Sequence, residues 1–347
     1  LLVACAPKSL PPKVEDFSIH RADYNSLNDW SDIDNSVSFK AFLQSCATLQ
    51  NTRKPLSVAH VTIEPEHVKR VCSRAFSVYP VNQVTSKQFF EANFTPYLVT
   101  NLIDSVGLFT GYYEPLLHGA QQQYGKYQTP LYRKPKDLMP GKRYLSRAQI
   151  KAGALHGKGL ELLWVDSPID AFFLHVQGSG RVKLDTGEII KVGFAAKNHH
   201  PYTAIGKTLI ERGELAKEDV SLFTIREWLQ SNPSQASEVM QQNASFIFFE
   251  LKPDSEPIGA PGIPLTPGYS LAIDKRYIPY GLPIFLETTL PTGDAFDRLM
   301  IAQDTGSAIK GAVRGDVFFG AGQKAEKLAG TMKQLGRYYV LLPKSAL

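Results

Sequence analysis

The chain has 347 residues, a formal net charge of +5, and 43% hydrophobic and 20% charged side chains, values of a globular protein with one large domain or two of ordinary size. No apolar run comes near the roughly 18 residues of a membrane-spanning helix. The basic side chains are scattered rather than blocked, which speaks against a nucleic-acid partner.

In chain order, Leu2-Val3-Ala4-Cys5 reads as the lipobox that closes a bacterial lipoprotein signal peptide. The same run also fits a plain chain boundary with an ordinary cysteine. On the lipobox reading, residues 1–13 are a signal remnant, a lipidated Cys5 and a Pro/Lys-rich tether. Ala6 rather than Asp after the cysteine suits outer-membrane sorting, so the body would face the periplasm of a Gram-negative bacterium.

Ser38 to Leu49 places Phe39, Phe42, Leu43, Cys46 and Leu49 at helical spacing, and Val68, Val71, Cys72 and Phe76 repeat the pattern. Ser86 is expected to cap a third helix bearing Phe89, Phe90 and Phe94, so the first hundred residues read as mostly helical. The chain has three cysteines. Cys46 and Cys72 fall on inner helix faces, where a disulfide and a pair of free thiols both remain open.

From Val106 the pattern turns to strand and turn. Leu160–Val165 and Ala171–Val176 are short apolar runs, and the alternation 181–194 about Asp185-Thr186-Gly187-Glu188 is a hairpin. Helical spacing returns over 203–242, interrupted at Asn232-Pro233. After a proline-rich linker, 253–268, come short strands at 270–273, 283–287, 299–303, 317–319 and 338–342, the spacing of a small barrel.

Asp274, Asp304 and Asp316 each stand at the edge of an apolar strand. Desolvation beside Val317, Phe318 and Phe319 raises an acid's pKa. Action as a general acid near neutrality requires a rise of about two units from about 3.9, about 2.7 kcal/mol. Each aspartate alone also suits turn chemistry. Asp-Thr-Gly lacks the second copy that an aspartic protease needs. His199-His200 has no third ligand, and no serine elbow, phosphate loop or zinc motif is present.

The set FTGYYEP (109–115), FFLHVQGSGRV (172–182), NASFIFFEL (243–251), SLAIDKRYIPYGLPIFL (270–286), AQDTGSAIKG (302–311) and GDVFFG (315–320) resembles the membrane-bound lytic murein transglycosylase A family. The three aspartates fall on the signature of its C-terminal three-aspartate domain. The resemblance implies a mainly β fold with N-terminal helices: a double-psi β-barrel from 14–112 plus 250–347, with the three-aspartate segment at 268–345. A smaller β-rich domain, 113–249, would be inserted, with the substrate groove between the two. It implies a peptidoglycan lytic exotransglycosylase, cutting the β-1,4 bond from N-acetylmuramic acid to N-acetylglucosamine and leaving 1,6-anhydro ends.

In that scheme Asp316 is the catalytic acid and base, Asp304 supports it by orienting it or by like-charge repulsion, and Asp274 holds a turn. Thr110, Gly111, Tyr112, Glu114, Gln177, Gly178, Ser179, Ser307 and Lys310 would contact substrate, with one of Tyr112 and Tyr113 in the groove and the other in the core. Where some relatives carry His-Phe-Asp, this chain has Arg314-Gly315-Asp316 with one extra residue after Asp304. No metal or organic cofactor is implied. The partners would be peptidoglycan glycan strands, the outer membrane through Cys5, and a cell-wall synthesis or hydrolysis complex. A hydrolase on the same barrel and a non-catalytic peptidoglycan-binding lipoprotein are the competing readings.

Overall fold

The computed structural model describes residues 17–101, 104–252 and 257–344. Cys5 and its tether lie outside them. Near the start of the described chain, the helices Ser36–Leu49, Pro65–Ala75 and Gln83–Asn93 bury Phe39, Phe42, Cys46, Leu49, Val68, Val71, Cys72, Phe89 and Phe90 as the spacing marks, whereas Leu43 is half-buried and Phe76, just past the second helix, is exposed. Their phenylalanines interlock edge to face, with Phe39–Phe89 centroids at 4.9 Å, and Phe94 of the following strand joins them 5.6 Å from Phe42. A Cys46–Cys72 disulfide ties the first two helices together. The strands Phe17–Arg21 and Phe94–Asn101 flank this layer.

Two details differ from the sequence reading. The third helix is capped by Asn82, whose side chain accepts the Thr85 N–H at 3.0 Å while the Thr85 hydroxyl accepts the Asn82 N–H at 3.1 Å. Ser86 sits one turn further in and is fully buried. Phe94 opens the following strand rather than ending the helix.

The strands Gly107–Glu114, Arg314–Ala321, Ser270–Ile273, Ala295–Asp304, Pro283–Thr289 and Lys333–Pro343 pair in that order. The last also pairs with the first, which closes a six-stranded barrel. Lys333–Pro343 is long enough to pair with Gly107–Glu114 at one end and Phe94–Asn101 at the other. Inside lie Phe109, Leu271, Ile284, Met300, Val317 and Val340, each fully shielded from solvent. Gly107 is required at the closure, since a Cβ there would stand 1.8 Å from the Val313 carbonyl oxygen.

A second sheet has the order Ile247–Lys252, Ile189–Lys197, Gly180–Leu184, Leu116–Ala120, Glu161–Val165, Thr129–Tyr132. It has its own core of Leu117, Leu131, Leu163, Val182 and Phe249. Helices Pro168–Gln177, Ile205–Glu211, Leu222–Ser231 and Pro233–Gln241 contribute to a further cluster around Phe173, Leu209 and Trp228. The apolar run 171–176, grouped above with the strands, is therefore helical. Ser167 accepts the Asp170 N–H at 3.1 Å and Pro168 occupies the first turn, so local capping overrides the strand-like composition.

The two sheets meet through specific contacts. The buried Glu114, at the end of its barrel strand, accepts a 2.5 Å bond from Arg181 Nε of the second sheet. Tyr113 Oη donates to Glu326 at 2.9 Å, and Arg226 lies 3.6 Å from the same carboxylate. Glu326 stands on the helix Gln323–Thr331, which the sequence reading does not include.

Candidate active site

Strand register assembles the site. Asp316 is paired with Ala272 on one side and with Thr110 on the other, and Ala272 is in turn paired with Asp304. Paired residues share a sheet face, so Asp304 and Asp316 stand on one face of the barrel wall, two strand spacings apart, about 9.5 Å. The alternate positions Gly315 and Val317 are buried, with Val317 in the barrel core.

Thr110 Oγ1 donates to Asp316 Oδ1 at 2.6 Å. The same hydroxyl accepts from Arg314 Nη2 at 2.7 Å. Arg314 is held by the Leu108 carbonyl at 3.2 Å and by the Gly315 carbonyl. Asp316 Oδ2 has no hydrogen-bond partner among the described residues. Burial pushes the Asp316 carboxyl above its ordinary range, and Arg314 and Thr110 offset only part of that rise.

Asp304 is saturated instead. Its Oδ1 accepts the N–H groups of Thr305 at 2.8 Å and Ala260 at 3.1 Å, and its Oδ2 accepts the Tyr112 hydroxyl at 2.8 Å. Burial still raises it to about 6, with a smaller push from the Asp316 charge. Among the described residues no hydrogen bond joins the two aspartates; Thr110 and Arg314 occupy the place beside Asp316.

Three tyrosines surround the pair. Tyr112 packs at a tilt against Phe318, with ring centroids 5.1 Å apart, and burial together with Asp304 holds its phenol well above its ordinary pKa. Tyr202, between the strand Ile189–Lys197 of the second sheet and the helix Ile205–Glu211, is raised by burial and also by the Asp316 charge. Tyr280 is raised by burial, with Thr305 and Asp304 as neighbours. Neither Tyr202 nor Tyr280 carries a site signal in the sequence, because only tertiary packing brings them to the aspartates. Arg314 was within reach of sequence, since a residue two before Asp316 on a strand shares its face.

The remaining candidates lie around this centre. A Cβ on Gly111 would meet Phe319 at 2.6 Å and the backbone of Ala329 at 2.8 Å, so Gly111 admits the close approach of the Gln323–Thr331 helix. Glu114 is taken up by Arg181 at the joint between the sheets. Gln177 Oε1 accepts the Tyr113 N–H at 3.1 Å, and Gly178 ends its helix at φ +84°. Ser179 is half-buried beside them. Tyr113 is buried, whereas Tyr112 is only partly covered. Ser307 and Lys310 are exposed on the turn after Asp304. Asp274 is buried, with Arg276 Nη2 at 2.6 Å and the Gly311 N–H at 3.1 Å. Burial alone would raise Asp274, but these partners bring it below the usual carboxylate range. Among the described residues no group of His, Cys, Asp and Glu is arranged to hold a metal ion.

This architecture has known counterparts. The family described as MltA specific insert domain matches residues 108–250, and the 3D domain matches 269–342. The chain is 39% identical over 243 residues to the membrane-bound lytic murein transglycosylase A of Escherichia coli strain K12, an alignment covering 67% of this chain and 65% of that relative. The crystal structure of a membrane-bound lytic murein transglycosylase from Agrobacterium tumefaciens superposes with a TM-score of 0.85 at 34% identity, covering 95% of this chain and 98% of the other. The E. coli MltA crystal structure with bound chitohexaose gives a TM-score of 0.72 at 28% identity, covering 96% and 97%. By both matched regions, and by fold and 34% identity across 95% of its length to the A. tumefaciens structure, the chain belongs to the membrane-bound lytic murein transglycosylase A family.

Proposed function

We propose that the protein is a peptidoglycan lytic transglycosylase in which Asp316 alone serves as acid and then as base. The observation that carries this reading is the asymmetry of its carboxyl: Oδ1 is anchored by Thr110, Oδ2 is unbonded, and burial favours the protonated form. Oδ2–H donates to the glycosidic oxygen as the bond to the muramic anomeric carbon breaks and oxocarbenium character develops. The resulting carboxylate then takes the proton from the muramic C6 hydroxyl, whose oxygen closes on the anomeric carbon to form the 1,6-anhydro ring. Such an intramolecular attack has an effective molarity of about 10⁵ M or more when well oriented, so no activated water is needed.

A hydrolase would require a second carboxylate free to activate water or to attack. Both oxygens of Asp304 are engaged by N–H and O–H donors, so neither is free for water, and that reading is disfavoured. Asp304 acts instead as a positioning group for Tyr112 and the 257–265 loop. The complex of the E. coli relative with chitohexaose supports a glycan strand as the ligand here. Thr110 and Tyr112 would face it, with Ser179, Ser307 and Lys310 around the groove.

In the same reading the barrel has double-psi topology, residues 113–249 form the inserted domain, and Cys5 anchors the chain to the outer membrane facing the periplasm. Association with a cell-wall synthesis or hydrolysis complex would follow. Mass spectrometry of sacculi digested with the protein tests the reaction. Anhydro-muramic ends, one water lighter than hydrolysed ends, are expected; hydrolysed ends, or no release, would refute it.

A further inference from the structure

A cavity of about 270 Å³ opens beside the second sheet, and none of the described residues that bound it belongs to the barrel. Its walls include Trp164, Phe172 and Phe246, and among the described residues no Asp or Glu lines it. Its cationic side chains are Arg147, 7% exposed, and Lys151, which is exposed at the rim. Arg147 Nε donates to the Asn243 carbonyl at 2.9 Å and Nη2 to the Ser245 carbonyl at 2.6 Å. These bonds fix the plane of the guanidinium between Phe172, at 4.8 Å, and Phe246, at 5.3 Å. Nη1 has no hydrogen-bond partner among the described residues, and no carboxylate among them pairs with the cation.

A buried guanidinium without a counter-anion is costly, and its fork matches a carboxylate. Burial lowers its pKa to about 10, which leaves it charged at neutral pH. His175 adds a neutral donor. Its Nδ1 accepts the Ile247 N–H at 3.1 Å, so Nε2 carries the ring proton. The volume lies just under the roughly 300–1,000 Å³ of drug-sized ligand sites, so a sugar chain does not fit.

We infer that this cavity is a second ligand site, taking a small carboxylate with an apolar body, either a free organic acid or the C-terminus of a short peptide. The carboxylate seats on Arg147, with the body between the aromatic walls. The site does not depend on the catalytic assignment. It is nevertheless close to the aspartates, because Tyr202 lies within electrostatic reach of both Arg147 and Asp316.

Calorimetric titration of the full chain with benzoate, benzamide and N-acetyl-D-alanyl-D-alanine tests the inference. At least one acid is expected to bind saturably, with benzamide weaker by about tenfold or more. Tighter benzoate identifies a free acid as the natural class; tighter dipeptide identifies a peptide terminus. Arg147→Lys, which keeps the charge and loses the fork, should weaken the acid by about tenfold. Because Arg147 also holds the 243–245 backbone, Ser237→Trp serves as the second variant. Ser237 is half-buried on the cavity wall, and an indole there should abolish binding. No saturable binding of either acid, equal affinity for benzamide, or binding unchanged by Ser237→Trp would overturn the site.

Discussion

Thr110 and Asp316 stand side by side on parallel strands, and the threonine hydroxyl, itself fixed by Arg314, donates to one carboxyl oxygen at 2.6 Å. That bond orients the acid and leaves its second oxygen free for substrate. It also stabilises the ionised form, so Thr110 limits how far burial raises the pKa.

Thr110→Val removes the donor while keeping the β-branched shape. The Asp316 pKa then moves further up, and the alkaline limb of the kcat/KM profile, which follows loss of the protonated acid, shifts to higher pH. Loss of orientation lowers kcat by about 10-fold or more, the equivalent of one hydrogen bond to a charged group. An unchanged pH profile with an unchanged kcat would remove Thr110 from the site.

Asp304 tests the electrostatics through stability. Its folded pKa of about 6 lies above the unfolded value of about 3.9. The folded form therefore holds the proton more tightly, and stability from this group is present below pH 4 and lost as pH rises through 6. Asp304→Asn cannot ionise and keeps an oxygen for the Thr305 and Ala260 N–H groups. Urea denaturation should find it more stable than the parent at pH 8, with the gain shrinking towards pH 4; a variant less stable at pH 8 contradicts the assignment.

Gly259 holds the 257–265 loop against Asp304. A Cβ there would lie 2.1 Å from the Gln303 carbonyl oxygen and 2.7 Å from Leu265 Cδ2. Gly259→Ala must push the loop away and break the 3.1 Å bond from the Ala260 N–H to Asp304. The expected cost is about 1–3 kcal/mol of stability, with reduced turnover. Parental stability and turnover would show that the loop does not support the site.

The Cys46–Cys72 disulfide closes a loop with a sequence separation of 26. Replacing both cysteines by serine should cost about 3–4 kcal/mol in the chain-entropy picture. Urea midpoints of the two proteins measure it, and equal midpoints would mean that the cross-link adds nothing.

The barrel strands and the N-terminal helices were legible because their apolar spacing is strong, as in Phe39–Phe42–Cys46–Leu49. The helix Gln323–Thr331 was not, because its buried face consists of Ala325 and Ala329 alone, which carry almost no periodic signal. The segment 171–176 misled because Phe172, Phe173 and Leu174 are all buried, so it shows a continuous apolar run rather than one amphipathic face. The Ser167-Pro168 start was the better guide. At the site, the sequence places Asp304 and Asp316 at strand edges. The 270–273 strand is legible, but its place between them is not, nor is the approach of Tyr202 from the second sheet's connections, since strand order and packing between the sheets are tertiary facts.

The most direct test is Asp316→Asn, which preserves the shape and an acceptor for Thr110 but has no proton to give and cannot act as a base. Anhydro-muropeptide release from sacculi should fall by about 10²-fold or more, with glycan binding and the urea midpoint close to those of the parent. Release at more than a few per cent of the parental rate by a folded Asp316→Asn protein would contradict the account.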